Sequence, residues 1–331
     1  MSDAVIDIQG LTVEARLSDR SQVILDDLNL QVREGEVIGI VGESGSGKTT
    51  LVRSLVGLLD KNVEVVGGEV KLLGKRVLAP GLDETKSVRG RQVGVVFQDA
   101  VRSLDPLFKV RTQLKEVLSA HSGHLSSAEM GSRMTDVLRR MKISDPERVL
   151  ESYPHHLSGG LCQRVAIAAA VVTGPKVVLA DECTTALDVT TQAEVVALFR
   201  ELVDESNVAL VFVTHNILLA ADICDRVVVM YAGQAVESGP TSRVLRAPHH
   251  PYTTGLLESV PGWNGSQTFK GIAGSAPRVA SDTVGCRFAE RCAFAQADCR
   301  TADVAWGIAP DGGGYRCLHP LALAGHAGHP V

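Results

Sequence analysis

The feature that most constrains this chain is a glycine-rich loop that follows an apolar run and precedes a helix-like segment. The loop consists of Gly42, Glu43, Ser44, Gly45, Ser46, Gly47, Lys48, Thr49 and Thr50. The pattern GxxxxGK(S/T) in this context is typical of a phosphate-binding loop. Its glycines let backbone N–H groups surround a polyphosphate at a helix N-terminus. Lys48 can reach the β- and γ-phosphates, and the Thr49 hydroxyl is a ligand for Mg²⁺.

Composition narrows the class of protein. The 331 residues are enough for about two domains, and 45% of them are hydrophobic and can fill sizeable cores. A formal net charge of -5 argues against a nucleic-acid partner, which usually requires a basic surface. No apolar run approaches the ~18 residues that span a bilayer. The N-terminus lacks a basic and an apolar region, so we expect no secretion and a reducing compartment for the cysteines.

Several short segments have patterns of apolar residues that predict strands. Residues 4–13 and 23–30 alternate apolar and polar side chains, as half-buried strands do, and a further strand-rich patch covers 63–78. Three apolar runs without alternation predict strands buried on both faces, as in parallel sheets. They end in Gln98, in Asp181-Glu182 and in His215. Because ligands of open α/β sheets lie beyond the carboxyl ends of the strands, we expect these groups around one nucleotide.

The region between Gln98 and Asp181 differs from the rest of the chain. Residues 107–151 have helix-like spacing of their apolar side chains and many charges, which predicts an inserted helical subdomain. The spacing is carried by Val117, Met134, Val137, Leu138 and Met141. Ser158, Gly159 and Gly160 then precede an Ala/Val-rich helix over 161–172. This second Ser-Gly-Gly sequence indicates either another anion site at a helix N-terminus or a simple helix cap.

Taken together, these motifs resemble the ATP-binding subunit of an ABC transporter. GESGSGKT (42–49) matches the Walker A motif, VVLADE (177–182) the Walker B motif, LSGG (157–160) the signature and TALD (185–188) the D-loop. Gln98 matches the Q-loop and His215 the switch histidine. FQDAVRSLDP (97–106), YPHHLSGGLCQR (153–164), APHHPYTTGLL (247–257) and GCRFAERC (285–292) further resemble the oligopeptide/dipeptide/nickel importers.

The resemblance implies an α/β fold. It consists of a P-loop NTPase (RecA-like) core with an antiparallel β subdomain and an inserted α-helical subdomain at about 103–172. This ATPase domain would cover residues 1–255. A small Cys-rich C-terminal domain, of the type found in oligopeptide transporters, would follow at 256–331.

The resemblance also assigns roles. Thr49 and Asp181 would hold the Mg²⁺ of MgATP with Gln98 nearby, Glu182 would polarise the attacking water, and His215 would contact the γ-phosphate. The signature residues Ser158, Gly159 and Gly160 would serve the ATP of an opposing subunit, with Asp188 at the junction. That subunit is a different ATPase chain or a copy of this one. Two membrane permeases and an extracytoplasmic substrate-binding protein would complete a transporter, with this chain on the cytoplasmic face of a bacterial membrane.

The expected function is ATP hydrolysis that drives import of di- and oligopeptides. The alternative is import of nickel or another small solute by the same family, and a more distant one is a soluble ABC-type ATPase. Four residues depart from the family pattern: Cys183, Asn216 and the adjacent pair Leu161-Cys162. Residues 11–30 also contain none of the aromatic residues that stack on adenine in many family members, so the adenine contact stays open.

Four cysteines close to the C-terminus form a second candidate site: Cys286, Cys292, Cys299 and Cys317. Clustered thiols in a reducing compartment indicate metal ligation, although the spacing fits no CxxC zinc pattern. The family tail has the same cluster and some members bind [4Fe–4S] there, so we expect Fe–S, with Zn²⁺ as the alternative and an unmetallated thiol set also open. Cys162, Cys183 and Cys224 are expected to be small buried hydrophobic residues. Residues 261–275 predict a linker, and His319, His326 and His329 a flexible terminus.

Overall fold

The computed structural model of the chain describes residues 4–18, 20–185, 187–261, 271–277, 279–280, 283–310 and 312–321. These form two compact units. The first, here called the helical unit, is built mainly of Thr85–Phe212 together with Arg33–Glu36. The second, here called the phosphate-loop unit, is built of Ile6–Val32, Val37–Glu84 and the chain from Val213 onward. The predicted domain boundary at residue 255 stays a prediction.

The phosphate-loop unit contains an antiparallel sheet with the strand order β2-β1-β4-β5-β6. Its strands are β1 (Ala4–Arg16), β2 (Ser21–Arg33), β4 (Val63–Leu72), β5 (Lys75–Ala79) and β6 (Leu82–Asp83). In β2 the side chains of Val23, Leu25, Leu28 and Leu30 are buried while intervening ones are exposed or half-buried. The predicted half-buried strands and the predicted antiparallel β subdomain are therefore confirmed.

A second run of strands in this unit surrounds the strand that leads into the glycine-rich loop. Its order is β12-β13-β11-β10-β3, and β10 pairs with β3 in parallel while the other pairs are antiparallel. The strands are β3 (Val37–Val41), β10 (Arg226–Tyr231), β11 (Gln234–Pro240), β12 (Gly307–Ile308) and β13 (Gly314–Tyr315). All five residues of β3 are buried, as predicted. The helices of this unit are α1 (Lys48–Leu55), α8 (Ile217–Ile223), α9 (Thr241–Arg246) and α10 (Pro251–Glu258).

The helical unit combines parallel strands with a group of helices. Strands β7 (Val93–Val96) and β8 (Val177–Asp181) pair in parallel, and β9 (Ala209–Thr214) lies on the other side of β8. The helices are α2 (Ala100–Ser103), α3 (Val110–His121), α4 (Ser127–Arg140), α5 (Pro146–Glu151), α6 (Gly159–Val171) and α7 (Val189–Ser206). The inserted helical subdomain of the predicted fold is therefore present between β7 and β8.

The helix core of this subdomain is largely the predicted one. Met134, Val137, Leu138 and Met141 are all buried. Val117 was expected with them but is only half-buried, whereas Leu114 and Leu118 of α3 are fully buried. The correction follows from helix geometry, since residues four apart share one face and residue 117 lies about 100° away from residue 118. Helix α4 begins with a capping box between Ser126 and Glu129.

The C-terminal expectations can be compared only in part. Residues 262–270 of the predicted linker, with Trp263, and both His326 and His329 lie outside the described residues. His319 is described, and its Nε2 lies 2.9 and 3.0 Å from the two carboxylate oxygens of Asp298. The expectation of a flexible terminus is therefore wrong for His319, because its ring has a hydrogen-bond partner in Asp298. Among the described residues, no helix is both long and apolar enough to cross a membrane.

Candidate functional site

The phosphate loop has a backbone that only glycine can adopt at its ends. Gly42 has φ of 155°, and a Cβ there would lie 2.2 Å from the carbonyl oxygen of Met230. Gly47, the N-cap of α1, has φ of 102°, and a Cβ there would lie 2.8 Å from Leu25. Because Gly47 has no side chain to cap the helix, the first N–H groups of α1 point toward the loop interior without a side-chain acceptor from that position. This is the geometry of a polyphosphate cradle.

Two polar side chains fill the loop. Lys48 is buried, and its ammonium donates to the carbonyl oxygens of Gly42 at 2.8 Å and Glu43 at 2.9 Å. Ser46 is also buried, and among the described residues its hydroxyl has no hydrogen-bond partner. A buried hydroxyl without a partner is costly, so it fits a loop shaped to receive a ligand with acceptor oxygens. At Gly45 a Cβ would meet no atom within 4 Å, which leaves that side of the loop open.

Two side chains from distant parts of the sequence hold the loop from outside. The hydroxyl oxygen of Tyr252 accepts the backbone N–H of Glu43 at 2.8 Å. Arg291 forms a two-pronged ion pair with the Glu43 carboxylate, with N–O distances of 2.7 and 3.0 Å. Sequence reasoning missed both contacts. The only available signal was that Tyr252 and Arg291 lie inside motifs, 247–257 and 285–292, to which no role had been given.

The residues expected to hold Mg²⁺ or to activate water belong to both units. Thr49 lies in α1 of the phosphate-loop unit, whereas Gln98, Asp181 and Glu182 belong to the helical unit. Gln98 and Glu182 each follow one strand of the parallel pair β7 and β8, and the Gln98 amide donates to the Glu182 carboxylate at 3.4 Å. Asp181, the last residue of β8, is 5% exposed. The structure therefore brings Gln98 beside the Walker B pair at one edge of the sheet, as the strand ends predict.

The backbone of Glu182 is strained. Its φ of 45° lies in the left-handed region, which a residue with a side chain adopts at a cost of about 1–3 kcal/mol. Such strain clusters at active sites, where it directs a side chain that relaxed backbone would place elsewhere. The next residue, Cys183, is buried, and burial raises the pKa of its thiol to about 12. Cys183 is therefore the packed neutral residue that was expected, as are the buried Cys162 and Cys224.

The signature residues form an exposed helix start. Ser158 is the N-cap of α6, and its hydroxyl accepts the N–H of Leu161 at 3.4 Å. Ser158 and Gly159 are exposed, and a Cβ at Gly159 would meet nothing within 4 Å. A Cβ at Gly160 would lie 3.2 Å from the Thr191 methyl group. The helix-cap and anion-site alternatives are thus compatible, because the cap occupies one N–H and leaves the exposed N-terminus accessible.

Three further residues lie at helix starts. Asp188, the N-cap of α7, accepts from the Thr191 N–H at 3.0 Å and the Thr191 hydroxyl at 2.7 Å, and the backbone hydrogen bond is the main cause that lowers its pKa. Ala186 of the D-loop lies outside the described residues.

His215 is exposed after β9, in the phosphate-loop unit. Asn216 caps α8 by accepting the N–H groups of Leu218 and Leu219, which explains why an amide can stand where aspartate is common.

The four C-terminal cysteines lie near one another in the phosphate-loop unit. Burial raises the pKa of the Cys286, Cys292 and Cys317 thiols, and nearby backbone N–H groups oppose part of this shift. The sulfur of Cys299 accepts the N–H of residue 296 at 3.5 Å. Burial is the main cause that raises the pKa of Cys317 to about 12, and the neighbouring Cys286, Cys292 and Cys299 contribute smaller parts of the same shift.

Comparison with known proteins identifies the family. A family model described as ABC transporter matches residues 25–185, and one described as Oligopeptide/dipeptide transporter, C-terminal region, matches residues 236–299. A peptide import ATP-binding protein of Brucella ovis is 40% identical over 333 residues, which cover 97% of this chain and 98% of the relative. The chain belongs to the ABC transporter family. A peptide ABC transporter ATP-binding protein of Sinorhizobium fredii is also 40% identical, over 90% of both chains.

Solved structures support the same assignment for this ABC ATPase. A dimeric ATP-binding cassette in a post-hydrolysis state, bound to ADP and Pi, is 30% identical with a TM-score of 0.62. It covers 71% of this chain and 98% of its own. A structure described as cbiO1 from Clostridium perfringens, part of the ABC transporter complex cbiONQ, is 28% identical with the same TM-score and covers 73% of this chain and 91% of its own. The predicted P-loop NTPase fold and the predicted ATPase activity are therefore confirmed.

Proposed function

We propose that this ABC ATPase energises the import of di- and oligopeptides across the cytoplasmic membrane of a bacterium. The observation that carries the proposal is the match of residues 236–299 to the C-terminal region of oligopeptide/dipeptide transporters. That region is separate from the phosphate loop and the Walker B strand, so it adds information beyond ATP hydrolysis. The near-complete overlap with a peptide import ATP-binding protein of Brucella ovis supports the same conclusion.

In the proposed mechanism the chain's own residues position ATP, Mg²⁺ and water. The phosphate loop and Lys48 bind the phosphates, while Thr49 and Asp181 hold Mg²⁺ with Gln98 nearby. Mg²⁺ suits these residues, since it takes one or two protein oxygens together with phosphate oxygens and water. Glu182 polarises the attacking water and His215 contacts the γ-phosphate. Such catalysis consists of positioning and charge neutralisation.

A second ATPase subunit, a different chain or a copy of this one, completes the proposed reaction. Ser158, Gly159 and Gly160 would bind the γ-phosphate of the ATP held by that subunit, with Asp188 at the junction. The exposure of Ser158 and Gly159 supports this role, because a helix N-terminus that serves another chain must be accessible. Val189, directly after Asp188, is 84% exposed and provides an apolar contact for the same partner.

The proposed permease contact lies after Gln98. Val101, Leu107 and Phe108 are exposed there, at 54%, 78% and 47% of their surfaces. Several large exposed apolar side chains within eight residues indicate a surface that a partner covers. We assign it to the two membrane permeases, which hold this chain at the cytoplasmic face of the membrane. An extracytoplasmic binding protein would deliver the substrate.

Reconstitution of the complete transporter tests the proposed function. The complex, purified with the permeases that accompany this chain, is placed in liposomes with its binding protein, and ATP hydrolysis is measured. We expect stimulation by a peptide-loaded binding protein and accumulation of the peptide inside. Stimulation by a nickel complex alone would instead support the small-solute alternative. An ATPase that co-purifies with no polytopic protein and responds to DNA or ribosomes would contradict both.

We also propose that Cys286, Cys292, Cys299 and Cys317 hold a [4Fe–4S] cluster. The donor set supports it, since Fe–S clusters are bound by four thiolates whose sulfurs accept backbone N–H groups. The sulfur of Cys299 accepts the N–H of residue 296 at 3.5 Å, and backbone N–H groups act to lower the pKa of the other three thiols against the larger effect of burial. Bound iron would offset the burial that raises the pKa of the Cys286, Cys292 and Cys317 thiols, because a metal ligand must be deprotonated. The cluster would stabilise this region, which lies outside the ATPase motifs.

Zinc is the alternative, and a smaller group of ligands favours it. Asp298, Cys299 and His319 offer ligand atoms that all lie within 4.8 Å of one another. The two sites would share Cys299, so separate variants distinguish them. Anaerobically purified protein should be brown, with absorbance near ~400 nm, and should lose its iron in Cys317→Ser but keep it in His319→Ala. Stoichiometric zinc without iron, lost in His319→Ala, would replace the Fe–S proposal.

A further inference from the structure

The second residue of the phosphate loop is a carboxylate, which is an unusual neighbour for a polyphosphate. Glu43 lies directly after Gly42, and its carbonyl oxygen accepts from the Lys48 ammonium at 2.9 Å. The Glu43 carboxylate is thus about one side-chain length, ~6–8 Å, from the cation expected to bind the β- and γ-phosphates. That distance is no greater than the ~8–10 Å Debye length, so salt does not screen the charge fully. An uncompensated Glu43 would oppose ATP binding.

The guanidinium of Arg291 compensates the negative charge of Glu43. All five of its N–H groups have hydrogen-bond acceptors. Its two terminal nitrogens donate to the two oxygens of Glu43 at 2.7 and 3.0 Å. Its remaining N–H groups reach the carbonyl oxygens of Ala273 at 2.7 Å and Ile272 at 3.2 Å, and the hydroxyl of Tyr231 at 3.2 Å. The hydrogen bond to Glu43 is the main cause that raises the pKa of Arg291. Five donors with five acceptors fix the guanidinium in one orientation.

Arg291 is also flanked by aromatic side chains. Its side chain is 7% exposed, and its guanidinium carbon lies 5.6 Å from the ring centre of Tyr231 and 5.9 Å from that of Phe288. Both rings pack against Tyr252, with ring centres 4.6 and 5.3 Å apart, and Tyr252 itself holds the backbone N–H of Glu43. Water is therefore largely excluded from the Arg291 side of the ion pair, whereas the Glu43 side chain is 29% exposed. The shielding of the guanidinium strengthens its electrostatic effect on Glu43.

We propose that Arg291 is a positioning residue for the phosphate loop, which neutralises Glu43 and turns its carboxylate away from the phosphates. The residue would thereby set the affinity of this chain for ATP, although it lies 248 residues from Glu43 in sequence. Arg291 makes no bond to the reacting atoms in this role. The inference rests on the proposed binding of ATP by the phosphate loop.

The test compares Arg291→Gln with Arg316→Gln in the full-length chain, with the dissociation constant of MgATP and the KM and kcat of the ATPase as readouts. Arg316 is a matched control, because it also precedes a cysteine, is 14% exposed and pairs with a carboxylate, that of Asp27, at 3.0 Å. Asp27 belongs to β2 and not to the phosphate loop. We expect Arg291→Gln to weaken ATP binding roughly tenfold and raise KM with kcat unchanged. Arg316→Gln should leave both unchanged.

The reverse charge change separates electrostatics from a structural role. Glu43→Gln leaves Arg291 without its counter-ion beside the phosphates, so ATP should bind about threefold more tightly. The double variant Arg291→Gln/Glu43→Gln should return to the wild-type affinity. A purely structural contact would give weaker binding in every variant. If Arg291→Gln does not fold, the comparison of Glu43→Gln with its control Asp27→Asn, the partner of Arg316, still tests the proposal.

The outcomes distinguish the inference from the function on which it rests. Wild-type protein that binds no ATP in the same titration would contradict the proposed function itself. Wild-type protein that binds ATP, together with an unchanged affinity in both Arg291→Gln and Glu43→Gln, overturns only the role of Arg291. Equal losses in Arg291→Gln and Arg316→Gln also overturn it, because the effect would then be a general loss of C-terminal packing.

Discussion

The phosphate loop and the signature loop use the same chemistry, a glycine-rich helix N-terminus, in opposite settings. In the phosphate loop Ser46 and Lys48 are at most 3% exposed, and Tyr252 and Arg291 hold Glu43 from outside. In the signature loop Ser158 and Gly159 are exposed, and Gly159 has open space where a side chain would be. The difference fits their proposed uses. A loop that binds phosphates for its own chain is organised in advance, whereas one that serves another chain must stay accessible.

The largest expected effect comes from a substitution outside both loops, at Glu182. It should change catalysis without changing nucleotide binding. Glu182→Gln keeps the size and strained backbone of the residue but removes the group that polarises water. We expect kcat to fall by about 10³-fold, within the range of positioned general bases, while the MgATP dissociation constant is unchanged. Glu201→Gln, a surface residue paired with Lys142, serves as the control. A wild-type rate in Glu182→Gln would remove Glu182 from the reaction.

The next effect tests the buried loop. Lys48→Ala removes an ammonium that bonds two loop carbonyls and that we expect on the phosphates. Charged hydrogen bonds contribute about 1.5–3 kcal/mol each, so ATP binding should weaken by about a hundredfold. Binding is measured on the isolated chain by nucleotide titration. Unchanged binding would show that the loop's pre-formed backbone alone holds the phosphates.

A substitution in the exposed signature loop should lower turnover and leave ATP binding by the isolated chain unchanged. Gly159→Glu fits in this chain, because a Cβ there meets nothing within 4 Å and an acidic residue suits the first turn of α6. Its charge would, however, repel the γ-phosphate of the partner's ATP. We expect turnover to fall at least about tenfold, with unchanged ATP binding by the isolated chain and no loss of thermal stability. A loss of ATP binding in the isolated chain would contradict the proposed division between the two loops.

The smallest effect concerns the residue after the switch histidine. Asn216 caps α8 through its side-chain oxygen, and aspartate offers the same acceptor. Asn216→Asp should therefore change the ATPase rate by less than about twofold and leave the melting temperature nearly unchanged. Asn216→Ala, which removes the cap, should lower the melting temperature. A large rate change in Asn216→Asp would assign the amide a role beyond capping.

Local patterns predicted the parts of the site that are built from local geometry. The strand ends predicted that Gln98 and Glu182 would meet, because parallel strands place their carboxyl ends at one edge of a sheet, and they do so at 3.4 Å. The glycine spacing likewise predicted the shape of the loop at Gly42 and Gly47, because that shape depends on backbone conformations that glycine allows. The contact of Arg291 with Glu43 could not be predicted in this way. It depends on how a segment without regular strands or long helices folds back over the sheet, which no periodicity encodes.

The seven residues from Cys286 to Cys292 have a practical consequence. The side chains of Arg287 and Arg291 in this segment are only 6% and 7% exposed, and the segment's two ends are the cysteines to which we assign iron. On that assignment, bound iron would hold both ends of the segment from Cys286 to Cys292, whose Arg291 neutralises Glu43. Protein purified in air and protein purified without oxygen would then differ in how tightly they bind nucleotide. If the iron assignment holds, affinities measured on different preparations of this ATPase would be comparable only at matched iron content.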